Sequence, residues 1–271
     1  MTRDEDNEED GPFCSPSAYS PLLGRCPVSV TCGGSLAPLI IAHRGDSSRA
    51  LENSIEAITL ALSIPVDMIE FDIRKSLDNR LFLMHDGDTG RTADQNIPIE
   101  RSRSEEIARI RLKNGEKVPT LKEVLALVSG RAGLNIEIKS DETGALCAEE
   151  LLRTGYDGPV IISSFKEREV LAARRVNPDL ITAQIFDSFS SANLDDYSAK
   201  GHNVISLRKS TVTEKLLAAC RERKIRVYVW TVDKEVEIRK FITMEVDGIV
   251  SNRPATLKRV LESWTGTRRT G

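Results

Sequence analysis

The stretch from Met68 to Asp86, MIEFDIRKSLDNRLFLMHD, gathers residue types that do chemistry at close spacing: Glu70 and Asp72 two apart, and His85 beyond a turn. Two runs rich in β-branched and aromatic residues flank Leu77-Asp78-Asn79-Arg80, and a two-residue loop centred on Asp-Asn closes a hairpin. Pairing Leu77 with Arg80 places Asp72 directly opposite His85. Side chains alternate along a strand, so Glu70 and Asp72 share a face, and the cross-strand partner of Asp72 lies on it too. Two carboxylates and an imidazole then converge on one patch. Crowded carboxylates repel unless a positive charge sits between them, and oxygen-rich clusters of this kind suit hard divalent cations. The stretch reads as a metal site with a histidine beside it.

Other polar residues stand at the ends of apolar strands. Leu39 to Ala42 is a short apolar strand that stops at His43-Arg44-Gly45, and Leu134 to Lys139 carries Asn135, Glu137 and Lys139 on the face opposite Leu134, Ile136 and Ile138. A strand lying between helical segments is enclosed, so polar side chains on it must be paired or functional. Leu51-Glu52-Asn53-Ser54 opens an amphipathic helix through about Leu62, with Asn53 and Glu56 spaced as a capping box and Asn53 as its cap. Thr120 and Glu123 have the same spacing at the head of another helix.

The elements that must position these residues alternate regularly. After a polar, turn-rich stretch from Gly87 to about Pro119, strands at Val160–Ser163, Leu180–Ile185, Asn203–Leu207, Arg226–Trp230 and Gly248–Val250 are followed by helices at Glu167–Arg175, Leu194–Lys200, Glu214–Arg223, Glu235–Phe241 and Ala255–Ser263. That alternation implies an α/β fold with a parallel sheet and right-handed crossovers. No Gly-rich phosphate loop opens a helix after the first strand, which favours a closed (β/α)8 barrel over a doubly wound sheet. In such barrels chemistry gathers at the carboxyl ends of the strands, where His43, Arg44, Glu70, Asp72, Glu137, Lys139, Phe165 and Trp230 all fall. The connection from Asp72 to Leu81 is too short for a crossover helix, so the barrel is expected to be irregular at the hairpin. His202 begins a strand, on the opposite face, and Asp247 is expected to brace a loop.

Of 271 residues 40% are hydrophobic, enough for one large domain, and the net charge of -3 offers no global basic field for nucleic acid or an acidic membrane. No apolar run approaches the roughly 20 residues that span a bilayer. Residues 1–37 begin acidic and continue with Pro, Ser, Gly and three cysteines without periodicity, and read as a flexible extension and not a secretory leader. Residues 38–264 are expected to form the domain and 265–271 a tail; the whole is expected to be cytoplasmic. Cys147 and Cys220 fall in helical patterns as small buried hydrophobes.

In one order the chain carries HRG at 43–45, Glu52-Asn53, Glu70-x-Asp72, His85-Asp86, IEIK at 136–139, SSF at 163–165, VWTVD at 229–233 and DGIVSNRP at 247–254. This series, from about Ile40 to about Leu261, resembles the glycerophosphodiester phosphodiesterases, which are metal-dependent and built on a distorted (β/α)8 TIM barrel of the PLC-like phosphodiesterase type. The resemblance implies that Glu70, Asp72 and Glu137 bind one divalent ion, Mg²⁺ or Ca²⁺, that His43 and His85 form the acid and base pair, and that Arg44 and Lys139 lie near the phosphate. Phe165 and Trp230 are candidate walls for the glycerol or head group. It implies a small-molecule phosphodiester substrate such as glycerophosphocholine or glycerophosphoethanolamine, with no nucleic acid and no stable membrane association. Departures from the family pattern are Leu51 for a proline, Ser54 for a threonine, Ser76-Leu77-Asp78-Asn79 for Thr-Lys-Asp-Gly at the hairpin tip, and Asp233 for an asparagine; these are expected to touch turns and rims. Two other readings are a phospholipase D-like enzyme acting on lysophospholipids and a catalytically silent barrel that binds a phosphorylated metabolite.

Overall fold

A computed structural model describes residues 37–268. In chain order the elements are β1 (Leu39–His43), α1 (Ile55–Leu62), β2 (Met68–Lys75), β3 (Leu81–Leu83), α2 (Ser104–Ile107), α3 (Leu121–Val128), β4 (Gly133–Ile138), α4 (Gly144–Thr154), β5 (Val160–Ser164), α5 (Glu167–Val176), β6 (Ile181–Phe186), α6 (Leu194–Ala199), β7 (Val204–Arg208), α7 (Glu214–Glu222), β8 (Arg226–Trp230), α8 (Glu235–Thr243), β9 (Gly248–Ser251) and α9 (Pro254–Arg268). Among the described residues eight parallel strands, β1, β2 and β4 to β9, run round a closed ring that β1 seals by pairing with both β2 and β9. This is the expected (β/α)8 barrel. Residues 1–36 of the expected extension lie outside the described residues, and α9 runs on to Arg268, past the expected helix end at Ser263.

Strand alternation sorts the barrel interior into layers. Ile41, Met68, Ile161, Ala183, Val204, Tyr228 and Val250 form an apolar plug across the middle of the barrel. One step further along the strands the inward positions become His43, Glu70, Ser163, Ser206 and Trp230, and these line a cavity. The opposite faces pack helices against the sheet in two larger apolar clusters. Buried Cys147 and Cys220 belong to those clusters.

The barrel is irregular at the hairpin. β3 pairs antiparallel with β2 outside the ring, in the register Ile73 with Leu83 and Lys75 with Leu81. That register is one residue away from the one read from sequence, and it sets Met84, not His85, against Asp72, whose carbonyl accepts from Met84 N at 3.1 Å. A tight two-residue loop needs positive φ at its first central position, here Asp78, and in the commoner form at both. Here only Asn79 has it, at φ 61°. The loop therefore takes three residues between Ser76 and Arg80, with Ser76 Oγ accepting from Arg80 N at 2.9 Å. Asp78 is drawn aside to hold the head of α2, accepting from Ser104 N at 2.8 Å and Ser104 Oγ at 2.6 Å. Beyond the hairpin, Phe82, Met84, Ala93, Ile99, Ile107, Ile110, Leu112 and Val118 make a small separate core. It anchors the loop that carries His85 to Arg91.

Between β1 and α1 the chain doubles back against the helix. Gly45 has φ +81°, and a Cβ there would stand 2.5 Å from the carbonyl carbon of Ala57. Gly45→Ala combines a left-handed backbone with that overlap and is expected to cost on the order of 2 kcal/mol. An unchanged urea midpoint and slope would show that the loop relaxes freely. At the other end of the barrel, Asp247 Oδ2 accepts from Val227 N at 2.7 Å, so it braces strand β8 where a loop was expected. His202, beside the start of β7, stacks on Tyr197 at 4.6 Å between ring centroids and takes no part in the cavity.

Candidate active site

β2 and β4 are neighbours in register, Glu70 beside Asn135 and Asp72 beside Glu137, so the inward carboxylates of the two strands meet. Glu70, Asp72 and Glu137 are buried and offer oxygens within 4.8 Å of one another. Two cations stand among them. Arg44 Nε lies 3.1 Å from Asp72 Oδ2, and Lys139 Nζ lies 2.7 Å from Glu137 Oε1 and 3.6 Å from Asp72 Oδ1. Burial pushes Asp72 up, but Arg44 and Lys139 outweigh it and hold its carboxyl below the ordinary value. Burial and then the Asp72 charge push Glu70 up to about 8 and Glu137 up to about 7. The cluster is short of positive charge.

Among the cluster's buried oxygens, Glu70 Oε1 has no hydrogen-bond partner and Asp72 Oδ1 has none beyond the long 3.6 Å ion pair to Lys139 Nζ. Buried acceptors are rarely left bare, and a set made only of carboxylate oxygens is the donor chemistry of Mg²⁺ and Ca²⁺. The residues present fit a hard divalent ion. With all three carboxylates ionised, as ion binding requires, two cations leave one net negative charge; a divalent ion would turn that into one net positive charge, the complement of a phosphodiester monoanion.

The carboxylates are held by backbone groups as well. Arg44 sits at φ 56°, a costly conformation for a side-chain residue, and its N–H donates to Glu70 Oε2 at 2.9 Å. Asn53, at φ 57°, donates from Nδ2 to Asp72 Oδ2 at 2.9 Å and accepts from Asp72 N at 3.1 Å. Asn53 is therefore not the helix cap read from sequence. Ser54 caps α1, accepting from Ala57 N at 3.0 Å, and Glu116 accepts the N–H groups of Ile55 and Glu56. A left-handed Asn53 cannot present its side chain to the first turn, so the amide turns inward and brackets Asp72 from both sides.

Two histidines flank the carboxylates. His43 Nδ1 lies 2.6 Å from Asn252 Oδ1. The Asn252 amide is oriented by Asp233, whose Oδ2 accepts from Asn252 Nδ2 at 2.8 Å, so the atom facing His43 is an acceptor and Nδ1 carries the proton. Nε2, 3.9 Å from Glu70 Oε2, is left for the cavity. Asp233 is one of the departures expected to touch only rims; through Asn252 it reaches His43. His85 Nδ1 pairs with Asp86 Oδ1 at 2.7 Å, which likewise leaves its Nε2 free. Burial lowers the pKa of both rings, His43 further through Arg44, while Asp72 and Asp86 oppose the shift at His85. His85 reaches the cavity although the register is not the one inferred, because β3 ends at Leu83 and strand alternation no longer governs its direction.

A chain of charges ties His85 to Arg44. Asp86 Oδ2 accepts from Arg91 Nε at 2.6 Å, Arg91 grips Glu52 with two N–H groups at 2.6 and 2.9 Å, and Glu52 accepts from Arg44 Nη1 at 2.8 Å. Glu52, Asp86, Arg91 and Asn252 were not singled out as site residues from the sequence. Glu52, Asp86 and Asn252 stand inside quoted motifs, but nothing in their spacing reveals these partners. Phe165 and Trp230 meet edge to face at 5.7 Å on the far wall. With the two histidines, Arg44, Glu70, Glu137, Lys139, Asn135, Ser163, Asp187, Ser206 and Arg208 they line a cavity of about 240 Å³. Asp72 lies beneath it, fully buried.

Known proteins resemble this chain along most of its length. Residues 43–256 match the model of the glycerophosphoryl diester phosphodiesterase family. A glycerophosphodiester phosphodiesterase of Caldanaerobacter subterraneus is 29% identical over 238 residues, 81% of this chain and 96% of that protein. One from Bacillus subtilis is 24% identical over 271 residues, 88% of this chain and 92% of its own length. Among solved structures, an Oleispira antarctica phosphodiesterase in complex with the product sn-glycerol-3-phosphate superposes with a TM-score of 0.78 at 21% identity, covering 83% of this chain and 97% of that one.

Proposed function

The chain belongs to the glycerophosphoryl diester phosphodiesterase family of phosphoric diester hydrolases, and from that membership we propose that it hydrolyses glycerophosphodiesters such as glycerophosphocholine or glycerophosphoethanolamine to sn-glycerol 3-phosphate and an alcohol, with one divalent ion and two histidines. The observation that carries the reading is the meeting, in and just beneath one cavity, of three buried carboxylates that two cations do not fully balance and two histidines whose Nδ1 atoms are tied back.

Glu70, Asp72 and Glu137 would hold the ion, Mg²⁺ or Ca²⁺, which when bound supplies positive charge for the phosphoryl oxygens. Arg44 and Lys139 add fixed positive charge in a site partly closed to water, where it counts for more than in solution. One histidine takes a proton through Nε2 from the attacking oxygen, either of water or of the substrate's own 2-hydroxyl with water then opening the cyclic phosphate, and the other gives a proton to the departing alkoxide, imidazole being a group that titrates near neutral pH. Asn252 and Asp86 each hold Nδ1 as the donor, so Nε2 of the base is free to accept a proton, and Nε2 of the acid, in its doubly protonated form, faces the departing oxygen. Asn53 holds Asp72; Asn53→Ala is expected to weaken divalent-ion binding by about 10- to 100-fold, as loss of a ligand's supporting hydrogen bonds commonly does. Calorimetric titration with Mn²⁺ measures it, and an unchanged affinity would show that Asp72 needs no bracket.

Residues 38–264 are taken as the catalytic domain. Among the described residues no helix is long and apolar enough to cross a membrane. The exposed large hydrophobics Leu77, Leu152, Phe165 and Val236 include only one at the cavity, Phe165, which favours small water-borne diesters over acylated ones. A silent barrel would be expected to lack a histidine or a carboxylate, and all five are in place. The reading is tested by incubating glycerophosphocholine and glycerophosphoethanolamine with the protein and Mg²⁺, Ca²⁺ or chelator. Metal-dependent release of sn-glycerol 3-phosphate is expected. Release of phosphocholine in its place, or no release by folded, metal-loaded protein, would overturn it.

A further inference from the structure

Beyond the phosphate-binding cations, the far wall of the cavity carries one more. Arg208 ends β7 and is paired in register with Trp230 at the end of β8. Its guanidinium lies 5.1 Å from the Trp230 ring centroid and donates from Nε to Asp187 Oδ1 at 2.7 Å, with an Nη on the same oxygen. Phe165, edge-on to Trp230, has Lys139 Nζ 5.7 Å from its own centroid. Both aromatic rings at the mouth are therefore already faced by cations of the protein, and the nearest acidic side chain on that wall, Asp187, is already paired.

Choline and ethanolamine ammonium groups are recognised by bare aromatic faces or free carboxylates. To use this wall they would have to displace Arg208 from Trp230 and Asp187, against repulsion from Arg208 and Lys139. Arginine has five N–H donors, and the Arg208 side chain is 52% exposed, so donors not directed at Asp187 are open to a ligand that accepts hydrogen bonds. Glycerol and phosphate are common to the whole substrate class, so a charged wall that discriminates can act only on the remaining alcohol. We propose that Arg208 is a specificity-determining residue that selects hydroxyl-rich or anionic head groups over cationic ones. The inference rests on the hydrolase reading above, and it places glycerophosphocholine at the slow end of the substrate class.

The test compares glycerophosphoglycerol with glycerophosphocholine for the wild type and Arg208→Gln. The ratio is read twice: as kcat/KM, and as Kd by calorimetry in a His85→Ala background that turns over slowly. A preference for glycerophosphoglycerol of about tenfold is expected, equivalent to roughly 1.4 kcal/mol. Arg208→Gln is expected to bring it within about twofold of unity, the span left when one cation–π and ion-pair contact is removed. An absent or reversed preference, a ratio that the substitution leaves unchanged, or equal loss on both diesters, as when glycerol itself meets Arg208, would overturn the proposal. Should neither diester be hydrolysed, the hydrolase reading fails by the kcat/KM arm, while the Kd ratio still decides the role of Arg208; no binding of either diester overturns it.

Discussion

Glu137→Gln is expected to abolish metal-dependent hydrolysis and, in metal-free protein, to raise stability at alkaline pH. Glutamine keeps the shape of the side chain but removes one of three carboxylates that crowd within 4.8 Å. The carboxyl of Glu137 is raised to about 7 and that of Glu70 to about 8, against 4.5 for an ordinary glutamate. A raised folded-state value means that the native protein holds protons the unfolded chain has already lost. Stability is then full below about pH 4.5 and falls as pH rises through 7 and 8. The metal-free wild type should lose on the order of a few kcal/mol across that window. A divalent ion should restore it, because binding to the folded state alone stabilises by mass action. Glu137→Gln should show a shallower decline and little response to added ion. Melts at pH 5 and pH 8, with chelator and with Mn²⁺, read both effects. A wild type whose stability in chelator is flat from pH 5 to 8 would show that the carboxylates do not compete for one small site.

The two histidines carry the second large effect. His43→Ala and His85→Ala are each expected to lower kcat on glycerophosphocholine by about 10²- to 10⁴-fold, the usual contribution of a positioned acid or base. Neither residue supplies an oxygen to the carboxylate cluster, so Mn²⁺ affinity should stay close to wild type in both variants. That separates loss of proton transfer from loss of the ion. Retention of more than a tenth of kcat in either variant, with binding intact, would remove that histidine from the mechanism.

The architecture was legible because periodicity carries it. Alternating strands and helices imply the barrel, and the two-residue repeat within a strand turns Glu70, Asp72 and Glu137 to the same interior. Long-range partners were less legible. The amide that fixes His43 is 209 residues away, at Asn252, and only the closing of the ring by β9 brings it near. The hairpin register turned on whether Asp78 or Asn79 or both adopt positive φ, a choice settled by Asp78 binding the head of α2, 26 residues on. Asn53 shows a local rule overridden by tertiary need. Its spacing to Glu56 fits a cap, yet burying Asp72 without partners on its inner side would cost more than shifting the cap by one residue to Ser54. Arg91 was invisible for another reason: an arginine in a polar loop reads as solvated until Asp86 and Glu52 are seen on either side of it.

The proposed chemistry depends on Glu70, Asp72 and Glu137 sharing one divalent ion between the two histidines. Crystals grown with Mn²⁺ and sn-glycerol 3-phosphate test it most directly, by anomalous scattering. A single strong peak is expected within about 2.0–2.6 Å of oxygens from all three carboxylates, with the phosphate beside Arg44 and Lys139. Contradiction would be an anomalous peak elsewhere, or none in this cluster at saturating Mn²⁺ while the protein still releases glycerol 3-phosphate.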